Sequence, residues 1–116
     1  MKRLLFVDPD RALLRCYGVL LKMRGYRTET TDSAAEAIAL LEKETFDLAV
    51  VNESQAGRDG LIRALGARRV PVLLLATGSG TLWGADAALA FPFRPEQLFA
   101  AAKQLLTGSE QRKEGQ

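Results

Sequence analysis

A chain of 116 residues, 47% apolar and 26% charged, has the length of one domain and enough apolar residues to close a core; no apolar run approaches the ~18 residues of a membrane-spanning helix. The single cysteine, Cys16, excludes an internal disulfide, and a net charge of +2 is too small to point to nucleic acid. The opening Met1-Lys2-Arg3-Leu4-Leu5-Phe6-Val7 is basic and then apolar. Asp8 and Asp10 end the run too early for a secretory leader, so a cytoplasmic protein is expected.

Arg3–Val7 reads as a short buried strand. Asp10–Arg24 follows with helical spacing, Leu13, Tyr17, Leu20 and Leu21 recurring three or four apart, and Gly25 stops it. Cys16 lies in this helix and is expected to be buried or half-buried. Tyr26–Thr30 alternates in the manner of a second strand. Ser33-Ala34-Ala35-Glu36 has the form of a capping box, in which the serine hydroxyl takes a helix amide and the glutamate reaches back. The helix it opens runs to about Lys43, with Ile38 and Leu41 inward. Phe46–Val51 is almost wholly apolar, as a strand covered on both faces should be. Asn52–Gly60 is a polar loop, Leu61–Ala67 a short helix, and Pro71–Ala76 a fourth strand. Thr77-Gly78-Ser79-Gly80 is a loop because its glycines disfavour helix. Ala87–Phe91 is a fifth strand. Pro95-Glu96 opens a last helix to Leu106, with proline in the first turn and an acid beside it.

Strands alternating with helices specify an α/β fold, a doubly wound parallel sheet with helices on both faces. One domain is expected over residues 1–106, followed by a polar, flexible tail at 107–116. Charge is segregated: residues 1–30 carry +4, 31–60 carry −5 and 61–106 carry +3. Arg11, Arg15 and Lys22 share a stripe of the first helix. Without interleaved aromatic residues that stripe reads as a solvated face, and nucleic-acid binding is not expected.

In such a sheet, ligands bind beyond the carboxyl ends of the strands. The residues leaving the strands are Asp8-Pro9-Asp10, Asn52-Glu53, Ala76-Thr77 and Phe91-Pro92. With the Phe46-Asp47-Leu48 strand start, Gly57-x-Asp59-Gly60, the Gly84-Ala85-Asp86 lead-in and Pro92-Phe93-x-Pro95-Glu96-x-Leu98, these landmarks make the chain resemble the receiver domains of two-component response regulators from Lys2 to about Leu106. The resemblance implies a five-stranded, flavodoxin-like sheet of order 2-1-3-4-5. It also implies a site that takes a phosphoryl group onto an aspartate, with Mg²⁺, a lysine and a hydroxyl holding the oxygens.

This sequence departs from that pattern at each chemical position. The phosphoacceptor position holds Asn52, a neutral amide. Of the acidic pair only Asp8 remains, since its neighbour is Pro9; Asp10 falls where the first helix begins and would cap it. The hydroxyl position is Ala76, with Thr77 one residue on. The aromatic switch position is Ala88, and the lysine position is Phe91, whose bond to Pro92 should be cis by resemblance and should turn Phe91 into the cleft as a plug. The resemblance thus implies a degenerate pseudo-receiver, not an enzyme, with no metal and no cofactor. It would act through a protein partner, whether a kinase, an output domain or a second copy in a homodimer. The alternative is a sensor holding a small ligand in the retired pocket. The family's fourth helix is shortened or missing, because Thr77–Gly84 is about two turns too short for it. That loss should uncover part of Leu73–Leu75 and Leu89, to be covered by Trp83 and Leu82 or by a partner; Trp83, Leu82 and Phe93 are the candidate interface residues.

Overall fold

The structure, a computed structural model, describes residues 1–114, with side chains through Gly108. Its elements are β1 (Arg3–Val7), α1 (Arg11–Met23), β2 (Arg27–Thr31), α2 (Ala34–Lys43), β3 (Leu48–Asn52), α3 (Arg58–Ala67), β4 (Val72–Ala76), β5 (Ala87–Ala90) and α4 (Pro95–Glu114). The five strands form one parallel sheet in the order β2-β1-β3-β4-β5. No helix is formed between β4 and β5, where residues 77–86 make turns only. The α/β class is the one read from the sequence, and the strand order is the one the resemblance implied; the family's fourth helix, expected to be shortened or missing, is not formed over residues 77–86.

The pleat divides the apolar residues between two layers, because neighbours along a strand point to opposite faces. Leu5, Val7, Ala49, Val51, Val72 and Leu74 face α2 and α3 with Leu41, Leu61, Ile62 and Leu65. Leu4, Phe6, Leu48, Val50, Leu73 and Leu75 face α1 and α4 with Leu14, Leu21, Leu98 and Ala102. Each fully buried leucine contributes roughly 1.5–3 kcal/mol by leaving water. The register sets Val7 beside Val51 and Thr31, and Asn52 beside Leu75. The exits of β1, β3 and β4 therefore stand level, and their next residues share one cleft.

Several expectations are corrected. The helix expected at Leu61 begins at Arg58: Gly57, in the left-handed region at φ +79°, turns the chain into it, and a first turn containing Gly60 hid the helical signal. The Ser33 hydroxyl does accept from the Glu36 amide (3.1 Å), but the Ser33 amide donates to Thr31 Oγ1 (3.1 Å), so the reciprocal arm of the capping box is replaced by a threonine. Phe46 and Asp47 precede β3. Asp47 instead takes the Arg3 amide on its carboxylate (2.8 Å) and closes the open start of β1. The last helix continues past Leu106 to Glu114, through residues expected in the polar tail, of which 115–116 lie outside the described residues. Cys16 is exposed, on the outer side of α1. Leu73, Leu74 and Leu75 stay fully buried despite the missing helix. What its absence leaves in solvent is Ala88 and Ala90, on an edge strand whose small side chains have little apolar surface to hide.

Candidate functional site

The site is assembled where β1 and β3 end. Asp8, the first residue after β1, is fully buried, and Asn52, the last of β3, is 6% exposed. Asn52 Nδ2 donates to Asp8 Oδ2 (2.9 Å), while Asn52 Oδ1 accepts from the Ser54 amide (2.8 Å) and hydroxyl (2.8 Å). The amide orientation follows from chemistry: the ionised carboxylate can only accept and the backbone N–H can only donate, so one rotamer satisfies both. The other Asp8 oxygen accepts from the Asp10 amide (2.8 Å). Burial raises the Asp8 pKa above 3.8, against the downward pull of the bonds from Asn52 and the Asp10 amide. Asp10 spends its carboxylate on the amides of Ala12 (2.9 Å) and Leu13 (3.2 Å), the N-cap role its position implied.

This donor set does not fit Mg²⁺. The ion asks for carboxylate oxygens arranged octahedrally with water. Asp8 is a lone acid with both oxygens engaged, Pro9 offers no side-chain oxygen, and the Asp10 carboxylate is turned to the helix. Among the described residues no group of three or more acidic, histidine or cysteine side chains is placed to hold a metal ion.

A second polar cluster lies one residue further on, and sequence reasoning missed it. Glu53 is only 4% exposed. Its backbone N–H donates to Leu75 O (2.9 Å), extending the β3–β4 ladder and fixing the carboxylate beside the exit of β4. Glu53 Oε1 accepts from the Thr77 amide (2.8 Å) and hydroxyl (3.1 Å); Oε2 accepts from the Ser79 hydroxyl and from Trp83 Nε1 (2.8 Å). These donors, the Ser79 hydroxyl foremost and then the Trp83 indole, hold its pKa down at about 2. Arg58 completes the cluster, donating to Glu53 O (2.5 Å) and laying its guanidinium 3.7 Å from the centre of the Trp83 ring. The available signal was an acid at the exit of an all-apolar strand, where a charge needs partners.

The other expected residues fall in different places. Thr77 does not reach the Asp8–Asn52 pair but bonds to Glu53, and Ala76, with no polar group, is half-buried. Ala88 is exposed on β5. The Phe91–Pro92 bond is cis, as the resemblance implied. Phe91 is nevertheless no buried plug: it is 36% exposed, and its ring packs on Phe93 (4.9 Å between centroids). Phe93 in turn meets Tyr17 of α1 (5.4 Å), so it sits inside an aromatic row between β5 and α1. Leu82 is 46% and Trp83 40% exposed in the β4–β5 connection, while Ala85 is buried in the α2–α3 layer.

A parallel sheet of order 2-1-3-4-5, with a polar cleft at its carboxyl edge built from the ends of β1, β3 and β4, defines a doubly wound domain of the flavodoxin-like fold. No protein-family model matches the sequence. The alginate biosynthesis transcriptional regulatory protein AlgB of Pseudomonas aeruginosa is 34% identical over 116 residues, covering 89% of this chain and 26% of that protein. The transcriptional regulatory protein CpxR of Klebsiella pneumoniae is 31% identical over 119 residues, covering 94% of this chain and 51% of that protein. A response regulator receiver domain protein (CheY-like) from Methanospirillum hungatei superposes with a TM-score of 0.87 at 28% identity, over 97% of this chain and 98% of that one. The chain is a response-regulator receiver domain. It spans about a quarter of the length of AlgB, the relative matched above at 34% identity. Among the described residues no helix is long and apolar enough to cross a membrane.

Proposed function

We propose that this receiver domain is a pseudo-receiver, acting in signal transduction by contact with a protein partner and without aspartyl phosphorylation. The observation that carries the reading is Asn52 at the acceptor position, its amide nitrogen pointing at Asp8 and its oxygen engaged by Ser54. A neutral amide cannot form an acyl phosphate, because phosphoryl transfer needs an anionic oxygen nucleophile. The neighbourhood supports the same reading: the positions that would supply a hydroxyl and a cation hold Ala76 and Phe91, and Asp8 alone offers a poor seat for Mg²⁺. Its partners would be of the kinds that receiver domains meet, a kinase or an output domain, the latter in keeping with the greater length of the transcriptional regulators it resembles.

The test is intact-mass measurement of the protein after incubation with a small-molecule phosphodonor and Mg²⁺. The expected result is no mass increase, for the wild type and for Asn52→Asp alike, since restoring one carboxylate leaves the cationic and hydroxyl helpers missing. A phosphoryl adduct on the wild type at the end of β3 overturns the proposal.

A further inference from the structure

The sheet has two free edges, and the sequence treats them differently. β2, at one edge, exposes Arg27 and Glu29, and charges on an edge strand discourage another strand from pairing with it. β5, at the other, reads Ala87-Ala88-Leu89-Ala90, with no charge, proline or glycine. No helix is formed over residues 77–86, and Ala88 and Ala90 lie exposed.

The same two alanines carry the unpaired backbone of the edge. Ala49 and Glu53 of the β3 side donate to Pro71 O and Leu75 O (2.9 Å each), so the alternate residues of β4, namely Val72, Leu74 and Ala76, turn towards β5. In a parallel ladder each such residue bonds to the two neighbours of the residue beside it. Leu74 stands beside Ala88 and Ala76 beside Ala90, so β4 engages Ala87, Leu89 and Phe91; the Phe91 N–H on Ala76 O (3.1 Å) ends the series. The N–H and C=O of Ala88 and Ala90 therefore point away from β4, on the side where no strand follows.

We propose that the free edge of β5 pairs antiparallel with β5 of a second copy of this chain, joining the two sheets into one. In the register centred on Leu89, Ala88 of each copy stands opposite Ala90 of the other, and the outward groups of these two residues form four hydrogen bonds between the copies. The charges select a second copy in this direction. Asp86 is exposed just before the strand, and Arg94 is exposed just after it. Antiparallel pairing sets each Asp86 towards the Arg94 end of the other copy, so opposite charges meet at both ends of a self-complementary interface. The pairing uses no group of the Asp8–Asn52 cleft and stands apart from the pseudo-receiver reading.

So short a strand makes a small interface, and association should be weak: by sedimentation velocity the mass of the full chain should rise from 12.7 kDa towards twice that value between about 10 µM and 1 mM. Two double variants test the contact, Ala88→Lys with Ala90→Lys and Ala88→Glu with Ala90→Glu. Both alanines are exposed, so the fold should be kept, which far-UV circular dichroism verifies. Each variant alone should stay monomeric, because like charges face one another across the axis, and an equimolar mixture of the two should regain the dimer. A wild type monomeric at about 1 mM, variants that associate as the wild type does, or a mixture that stays monomeric each overturn the proposal. Should the variants fail to fold, amide hydrogen exchange of the wild type decides: the Ala88 and Ala90 N–H groups should slow by about tenfold or more as concentration rises through that range, and exchange independent of concentration overturns the pairing.

Discussion

Asn52→Asp would place two carboxylate oxygens where Asn52 Nδ2 and Asp8 Oδ2 now lie, 2.9 Å apart in a buried cleft. Two full charges at that distance repel by about 6 kcal/mol at an effective dielectric of ~20. The variant has a cheaper route, taking up one proton to share between the pair. Protonating a carboxyl of ordinary pKa at pH 7 costs about 4 kcal/mol, part of which the new O–H···O⁻ bond returns. The Ser54 donors still find an acceptor in an aspartate. The net destabilisation at pH 7 should therefore be about 2–4 kcal/mol, lowering Tm by roughly 8–16 °C for a domain of this size. The pH dependence has a definite sign. The pair's folded pKa is raised above the unfolded value of 3.8, so its contribution is favourable at low pH and is lost as pH rises through the raised value. The deficit against wild type should be largest at pH 7–8 and close toward pH 4. Thermal melts of both proteins across that range provide the assay. A variant that melts with the wild type at pH 7, or a deficit equal at pH 5 and pH 8, would refute the argument that the Asn52 amide is what reconciles the cleft with Asp8.

Two further outcomes follow from the same geometry. Asp8→Asn leaves one acceptor oxygen for two donors, the Asp10 N–H and Asn52 Nδ2, and should destabilise the protein by about 1–3 kcal/mol; a urea midpoint unchanged from wild type at pH 7 would mean that the cleft rearranges freely. Gly57→Ala should cost about 1–3 kcal/mol, because φ is +79° and the new Cβ would stand 3.0 Å from Ala34 Cβ; a midpoint in urea unchanged from wild type would mean that the α3 entry relaxes freely.

Local chemistry in the sequence determined the fold class. All-apolar strands such as Val72–Ala76 announce a sheet covered on both sides, and Ser33 and Pro95 mark helix starts, whereas the importance of Asn52, Pro9, Ala76 and Phe91 at the strand exits came from the resemblance to receiver domains. The strands and helix starts are legible because period, capping and side-chain chemistry act over a few residues. Tertiary structure decided what depends on residues distant along the chain. Asp8 and Asn52 are 44 positions apart, and parallel register alone makes them partners. Glu53 has no local partner for its carboxylate; its donors lie 24 to 30 residues on, in a loop whose glycines announce flexibility but not where it will be held. The same holds for Phe91, whose ring goes to an aromatic row instead of the cleft because Phe93 and Tyr17 offer it apolar contact that the polar exits of β1 and β3 do not.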